Sequence, residues 1–171
     1  NRRWLKGMYE TVIQFQTNTN YTQHMAIMLK PGFEVLDKRE FYKDPDTEKN
    51  ERGENLFARG PAFVLVQTPA GFQMWIGTTH QKSKRGNDID TTKWRNREAT
   101  RTHEIMKELH ATGHPVLLLG DCNDEWGLQE FEQEGGGDVI GNLVGPEKDG
   151  YVLLTKPLVD AGKISFGGYN R

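Results

Sequence analysis

The chain has one cysteine, Cys122, among 171 residues, so no internal disulfide can form. That fits a reducing compartment without requiring one, because many exported proteins also lack disulfides. No apolar run approaches the roughly 20 residues that a helix needs to cross a bilayer. The sequence opens Asn1-Arg2-Arg3, with neither a methionine nor a signal peptide. The compartment stays open between export with a removed signal and the cytoplasm. Strong charge of one sign is missing too: 22 Lys and Arg face 24 Asp and Glu, for a formal net charge of -2. The chain as a whole exerts no pull on nucleic acid, although a local basic groove is enough to hold a phosphate backbone. No internal repeat and no domain linker is visible, and the length suits one domain over residues 1–171 with a sizeable core.

What is present reads as short strands with one good helix. Residues 24–29 are apolar, Pro31-Gly32 follows, and residues 35–41 read as a strand, so the dipeptide predicts a hairpin turn. Residues 42–55 are almost wholly polar and read as a long exposed loop. Residues 62–68 are apolar on both faces, as in a buried central strand. A turn at Thr68-Pro69-Ala70-Gly71 joins them to a strand over residues 72–79, which makes a second hairpin. Residues 82–93 read as polar loop. Residues 94–112 form the best helix, with Ile105, Met106 and Leu109 on one stripe, Trp94 and Ala99 extending it, and Gly113 then Pro115 as its stop. Residues 116–119 are a short buried strand that ends at Gly120-Asp121. A short helix within residues 126–137 and further strands at 151–155 and 163–166 complete the reading. Hairpins mixed with helices imply an α+β sandwich.

Three segments carry residues suited to phosphate chemistry: Thr79-His80-Gln81-Lys82-Ser83, Gly120-Asp121-Cys122-Asn123-Asp124, and Phe57-Ala58-Arg59-Gly60-Pro61-Ala62. Hydrolysing a phosphodiester needs a water held in line, a group that orients it, and donors around the phosphoryl oxygens. Asp121 can orient and polarise the water. Asn123, two residues on, faces the same side of an extended segment and can donate its amide without adding repulsive charge. His80 can donate to a phosphoryl oxygen, and Arg59 can grip a phosphate with two prongs. Each has a bland counterpart. A Thr-His at a strand end is often structural, a Gly-Asp-x-Asn-Asp run is often a turn whose side chains bond local backbone, and Arg59 read alone is a surface arginine. The order of the three segments at strand ends favours function.

That combination resembles the endonuclease/exonuclease/phosphatase superfamily. Thr-His-x-Lys-Ser, an amphipathic helix, then an apolar strand with Gly-Asp-x-Asn-Asp carry the likeness. Residues 57–64 resemble the Phe-x-Arg-x-Pro-Ala segment of pancreatic-type deoxyribonucleases, and residues 24–30 the family's Ala-Ile-Leu strand. The resemblance implies a four-layer α/β/β/α sandwich of two packed mixed sheets and a divalent cofactor, Mg2+ or another cation such as Mn2+ or Ca2+. It matches His80 to a phosphate-binding histidine, Asp121 to the aspartate that orients the attacking water, and Asn123 to the asparagine that stabilises the transition state. Arg59 matches the arginine that contacts DNA phosphate; Lys82 reads as a second substrate-binding residue, and Asp124 as a structural partner of its loop. Cys122 departs from the large apolar residue usual there and reads as a small buried filler.

Two family features have no counterpart: the metal-binding glutamate expected near the start and the Asp-His pair expected after a segment like 164–171. Glu10, Glu34 and Glu40 sit in the wrong surroundings for that glutamate. The expectation is an incomplete domain without its first strand or strands and its C-terminal Asp-His segment. Alone, these 171 residues should be weakly active or inactive. The function implied is metal-dependent hydrolysis of phosphodiester bonds by an endonuclease acting on DNA. A phospholipid or inositol-phosphate phosphodiesterase of the same fold is the alternative. A non-catalytic binding module with a degenerate site is the rival of another class. No protein partner is implied.

Two further signals stay open. Residues 79–101 hold seven basic against three acidic residues, which suits a phosphate groove or simply a solvated surface. Trp94 suits base stacking or, better, a core anchor. His103, His110 and His114 have no metal-binding spacing and are expected to be solvated.

Overall fold

The computed structural model describes residues 7–17, 24–42, 49, 53, 55–84, 89–125, 127 and 132–161. A pair of short strands, β1 (Thr11–Gln14) and β2 (Ala26–Leu29), forms one antiparallel sheet. The larger sheet holds β3 (Glu34–Glu40), β4 (Ala62–Gln67), β5 (Gln73–His80) and β6 (Val116–Asp121), in that spatial order. Helix α1 (Ile89–His110) connects β5 to β6. The short helices α2 (Glu132–Gly135), α3 (Val139–Val144) and α4 (Lys156–Asp160) follow, with a 3-10 turn at Glu147–Asp149.

β4 is buried on both faces because it lies between two cores. Ala62, Val64 and Val66 meet Phe15, Met25, Ile27 and Leu29 of the small sheet. Phe63 points the other way and joins Trp75, Trp94, Ile105, Met106 and Leu109 under α1. Period-two alternation sends successive side chains to opposite cores. On its far side α1 packs Ala99 against Val139 and Leu143 of α3. The result is an α+β architecture of two sheets face to face, with helices layered over the larger one.

The β4–β5 hairpin forms as its turn chemistry requires. Thr68 N–H donates to Phe72 O, Gly71 N–H donates to Thr68 O, and Gly71 takes the positive φ of 81°. The hairpin expected at Pro31-Gly32 does not form. A turn is there, but β2 pairs with β1 and β3 pairs with β4, so the chain crosses between sheets. The physical reason is that a Pro-Gly turn sets a local bend, whereas pairing follows which face each strand can bury. β2 buries Ile27 and Leu29 against β4 instead of lying beside β3.

Helix α1 begins at Ile89, five residues before the expected start, since Thr91 and Thr92 are buried under the elements that follow. Residues 151–155 are not a strand; they lead into α4. The strand expected at 163–166 and most of the loop expected over 42–55 lie outside the described residues. The short helix expected within 126–137 is α2, and it stops among Gly135, Gly136 and Gly137. No helix among the described residues is long and apolar enough to cross a membrane.

Candidate active site

The site forms where two parallel strands end. β5 and β6 run parallel with His80 opposite Asp121, so the two side chains leave the sheet on one face, at the carboxyl ends where such sheets present ligand-binding groups. Gly120 makes the approach possible. Its φ is 145°, and a Cβ there would collide with the backbone of Thr79, so any side chain would push the strands apart just before the His80–Asp121 pair.

Asp121 is exposed. Its Oδ1 accepts the Asn123 N–H at 2.8 Å, an Asx turn that helps hold Asn123 at its positive φ of 50°. The turn reading and the functional reading are thus compatible in one residue, because one carboxylate oxygen shapes the loop. Asn123 Nδ2 donates to Gln81 O at 2.9 Å, which ties it to the loop that follows His80. The amide carries two N–H groups, so this bond does not exhaust it.

His80 is half-buried. Burial lowers its pKa below 6.5, the positive charge of Arg59 lowers it further, and Asp121 opposes both. The ring is therefore neutral near pH 7 and donates from one nitrogen. Arg59 reaches the same loop from the approach to β4. Its Nε donates to His80 O at 3.1 Å and its Nη2 to Gln81 O at 3.2 Å. Lys82 lies with its Nζ 5.6 Å from the centre of the Trp94 ring.

Two polar residues that the sequence does not single out hold these loops from below. On α1, Arg95 is 2% exposed and Glu98 is 1% exposed. Arg95 Nε donates to Asp124 Oδ2 at 2.9 Å, and Lys84 Nζ lies 2.7 Å from Asp124 Oδ1. Glu98 Oε2 accepts the Lys82 N–H at 2.7 Å. Thr91, Arg95, Glu98 and Thr102 recur at helical spacing and are all buried, a polar stripe beside the apolar one.

Burial raises the Glu98 pKa from 4.5 to about 8, outweighing the Lys82 N–H and the charges of Arg59, Lys82 and Arg95. Between those values the folded chain keeps a proton that the unfolded chain loses. Its contribution is therefore full below about 4.5 and declines as pH rises to about 8. At ~1.4 kcal/mol per unit, several kcal/mol are involved. Glu98→Gln should flatten that slope and make the chain more stable than wild type at the alkaline end. Urea denaturation across the window measures it, and an unchanged slope in the variant would assign the effect to another group.

The basic surplus of residues 79–101 is largely engaged within the molecule. Arg95 and Lys84 hold Asp124, Arg101 pairs with Glu104 and Glu108, and Arg97 donates to Lys49 O. Trp94 is a core anchor, 8% exposed, with Nε1 donating to Leu56 O. His103 is not solvated as expected. It is 7% exposed, with Nδ1 3.1 Å from Leu143 O and Nε2 2.9 Å from Asp149 Oδ2. α3 and the turn after it cover that face of α1, and Gly145 leaves room for the ring, since a Cβ there would overlap it. Cys122 packs beside Ala99, Val139 and Leu143, and burial pushes its thiol up to about 11, as suits a filler and not a nucleophile.

Among the described residues no group of three or more His, Cys, Asp or Glu side chains could hold a metal ion. The described residues by themselves therefore do not fit the divalent cation that the family resemblance implies.

Searches with models of protein families and of curated proteins return no match. Solved structures do match. A truncated Caenorhabditis elegans TDP2 aligns with a TM-score of 0.52 and 18% identity over 72% of this chain and 44% of that one. A second crystal structure of C. elegans TDP2 aligns with a TM-score of 0.48 and 16% identity, over 71% of this chain and 33% of that one. The chain thus spans less than half the length of either structure. At 18% identity the first likeness shows the fold alone: over the aligned part, this chain has the fold of that TDP2 structure.

Proposed function

We propose that the chain carries the reacting groups of a metal-dependent phosphodiesterase whose substrate is DNA. The observation behind this reading is the parallel β5–β6 pairing that sets His80 beside Asp121, with Asn123 bound to the same loop. In the proposed step Asp121 orients a water in line with the scissile P–O bond. The water oxygen bonds to phosphorus as the P–O bond to the leaving oxygen breaks; the water sheds its proton to solvent, and the leaving oxygen takes one up from solvent. Neutral His80 and the amide of Asn123 donate to the phosphoryl oxygens, where negative charge builds. Magnesium belongs to this reading only with a carboxylate from outside the described residues.

Arg59 is the substrate-side part of the proposal. It braces the His80 loop through two carbonyls, and in this reading it also faces a phosphate next to the scissile one, with Lys82 nearby. The test compares kcat/KM on DNA and on a nitrophenyl phosphodiester, with magnesium or with chelator, using the full translated chain. Arg59→Ala should lower both rates. The loss on DNA should be larger by roughly tenfold to a hundredfold, the worth of one charge-assisted contact. Equal losses would confine Arg59 to the loop. Cleavage of phospholipid or inositol phosphates with none of DNA would replace the substrate, and no hydrolysis of any of them would leave a binding module.

A further inference from the structure

Among the described residues, Glu98 is a buried ionisable group that the proposed chemistry leaves unused. It lies in the first half of α1, and the N–H it accepts belongs to Lys82, two residues beyond His80. The charged groups facing it come from three elements: Arg59 from the approach to β4, Lys82 from the loop after β5, and Arg95 from its own helix. Around that loop every main-chain anchor is polar and directed. Gln81 N–H donates to Asp121 O, Gln81 O accepts from Arg59 and Asn123, and Lys82 N–H donates to Glu98.

We propose that Glu98 is a positioning residue for His80, holding the loop after β5 against α1 so that the imidazole is presented beside Asp121. Arg95, one helical turn earlier on the same face, holds the other loop through Asp124, which follows Asn123. One helix face thereby references both halves of the site. The consequence for rate rests on the phosphodiesterase reading; the positioning does not. At neutral pH Glu98 is a neutral acid, since burial lifts it to about 8. Ionisation would cost burial energy, but the bond from the Lys82 N–H and the charges of Arg59, Lys82 and Arg95 favour the charged form, so the carboxylate keeps the same contact. Two neutral replacements separate positioning from charge. Glu98→Gln would keep an acceptor for the Lys82 N–H, whereas Glu98→Leu would not.

The experiment follows the His80 ring and the Lys82 amide by NMR from about pH 5 to 9.5 in the 171-residue chain, as wild type, Glu98→Gln and Glu98→Leu. The wild type should show the His80 titration below its ordinary range and a second inflection of the ring signals near the Glu98 pKa. The Lys82 amide should stay protected through that inflection, because both the acid and the carboxylate accept its N–H. Glu98→Gln should lose the inflection and keep Lys82 protected throughout. Glu98→Leu should expose Lys82 at every pH and shift the ring signals even where wild-type Glu98 is protonated. Leucine and glutamine variants that behave alike would overturn the proposal. So would an inflection that persists in Glu98→Gln, a comparison that stands even if the leucine variant does not fold. None of these readouts uses turnover. Absence of hydrolysis would therefore count against the phosphodiesterase reading and leave this inference standing, and an active enzyme with unresponsive His80 signals would do the reverse.

Discussion

Asp124→Ala is expected to cost about 3–5 kcal/mol of folding stability, the penalty typical of breaking a buried ion pair from one side. The Asp124 side chain is 0% exposed and its partner Arg95 is 2% exposed. Removing the carboxylate leaves a guanidinium in the interior with Thr92 Oγ1 as a neutral partner, and a buried charge without a counter-charge is among the costliest defects. Lys84 loses its nearest carboxylate as well. For a chain of this size the change corresponds to a fall in Tm on the order of 10 °C or more, at roughly 2–4 °C per kcal/mol. The companion variant is the double replacement Arg95→Met with Asp124→Leu. It removes both charges and should recover most of the loss, because well-packed apolar substitutes for a buried pair are often neutral or stabilising. Urea denaturation of the two single variants and the double variant completes a thermodynamic cycle. A single-variant loss under about 1 kcal/mol, the ceiling for ordinary exposed pairs, would mean that the pair is solvated in practice. Even if the double variant is stable, it lacks the bond that ties the Asn123 loop to α1, so stability and site geometry come apart in it.

That separation bears on what the sequence could disclose. The β4–β5 hairpin was legible because its signals agree: apolar runs, a Thr68-to-Gly71 turn with the residues such a turn demands, and period-two alternation through Met74 and Ile76. The central burial of β4 was legible because both of its faces are apolar. The allotment of β2 and β3 to different sheets was not. Pro31-Gly32 marks a bend, and nothing local says whether the strands beyond it pair with each other or with strands elsewhere. β1 and α3 are four and six residues long, too short for periodicity to speak. Asp138 caps α3 by accepting the Gly141 N–H, a cue that an isolated Asp among glycines does not advertise.

The site divides along similar lines. His80, Asp121 and Asn123 could be picked out because each sits in a short segment at the end of an apolar run. Arg95 and Glu98 could not, because charged residues in a helix rich in Lys, Arg and Glu look like a solvated face. Only the layering makes them interior: the sheet lies under one side of α1 while α2 and α3 cover another. His103 was misread for the same reason. A helix enclosed on two sides buries polar residues that an ordinary amphipathic pattern would leave in water, and each must find a partner inside. The polar face of α1 thus becomes the support on which both site loops rest.

The sharpest separation of structure from chemistry falls on Asp121. Asp121→Asn should lower kcat by ~10²–10⁴-fold, the usual worth of a positioned acid–base group, with stability held within about 0.5 kcal/mol, as for surface substitutions. The asymmetry follows from the two jobs of the side chain. Oδ1 accepts the Asn123 N–H, and an asparagine carbonyl can do the same, so the turn and the placement of Asn123 survive. The negative charge does not survive, and with it goes the ability to polarise a water. The side chain is exposed, so its replacement disturbs no packing. The variant also carries an internal reporter. The Asp121 charge raises the His80 pKa against burial and Arg59, so its removal should move the His80 titration further down. A lowered His80 titration with unchanged stability and unchanged turnover would show that the charge reaches the imidazole but takes no part in bond cleavage, leaving Asp121 as a turn former. Lost turnover together with lost stability would show that the amide failed to rebuild the loop. Lost turnover, retained stability and a lowered His80 titration are what the proposed chemistry requires.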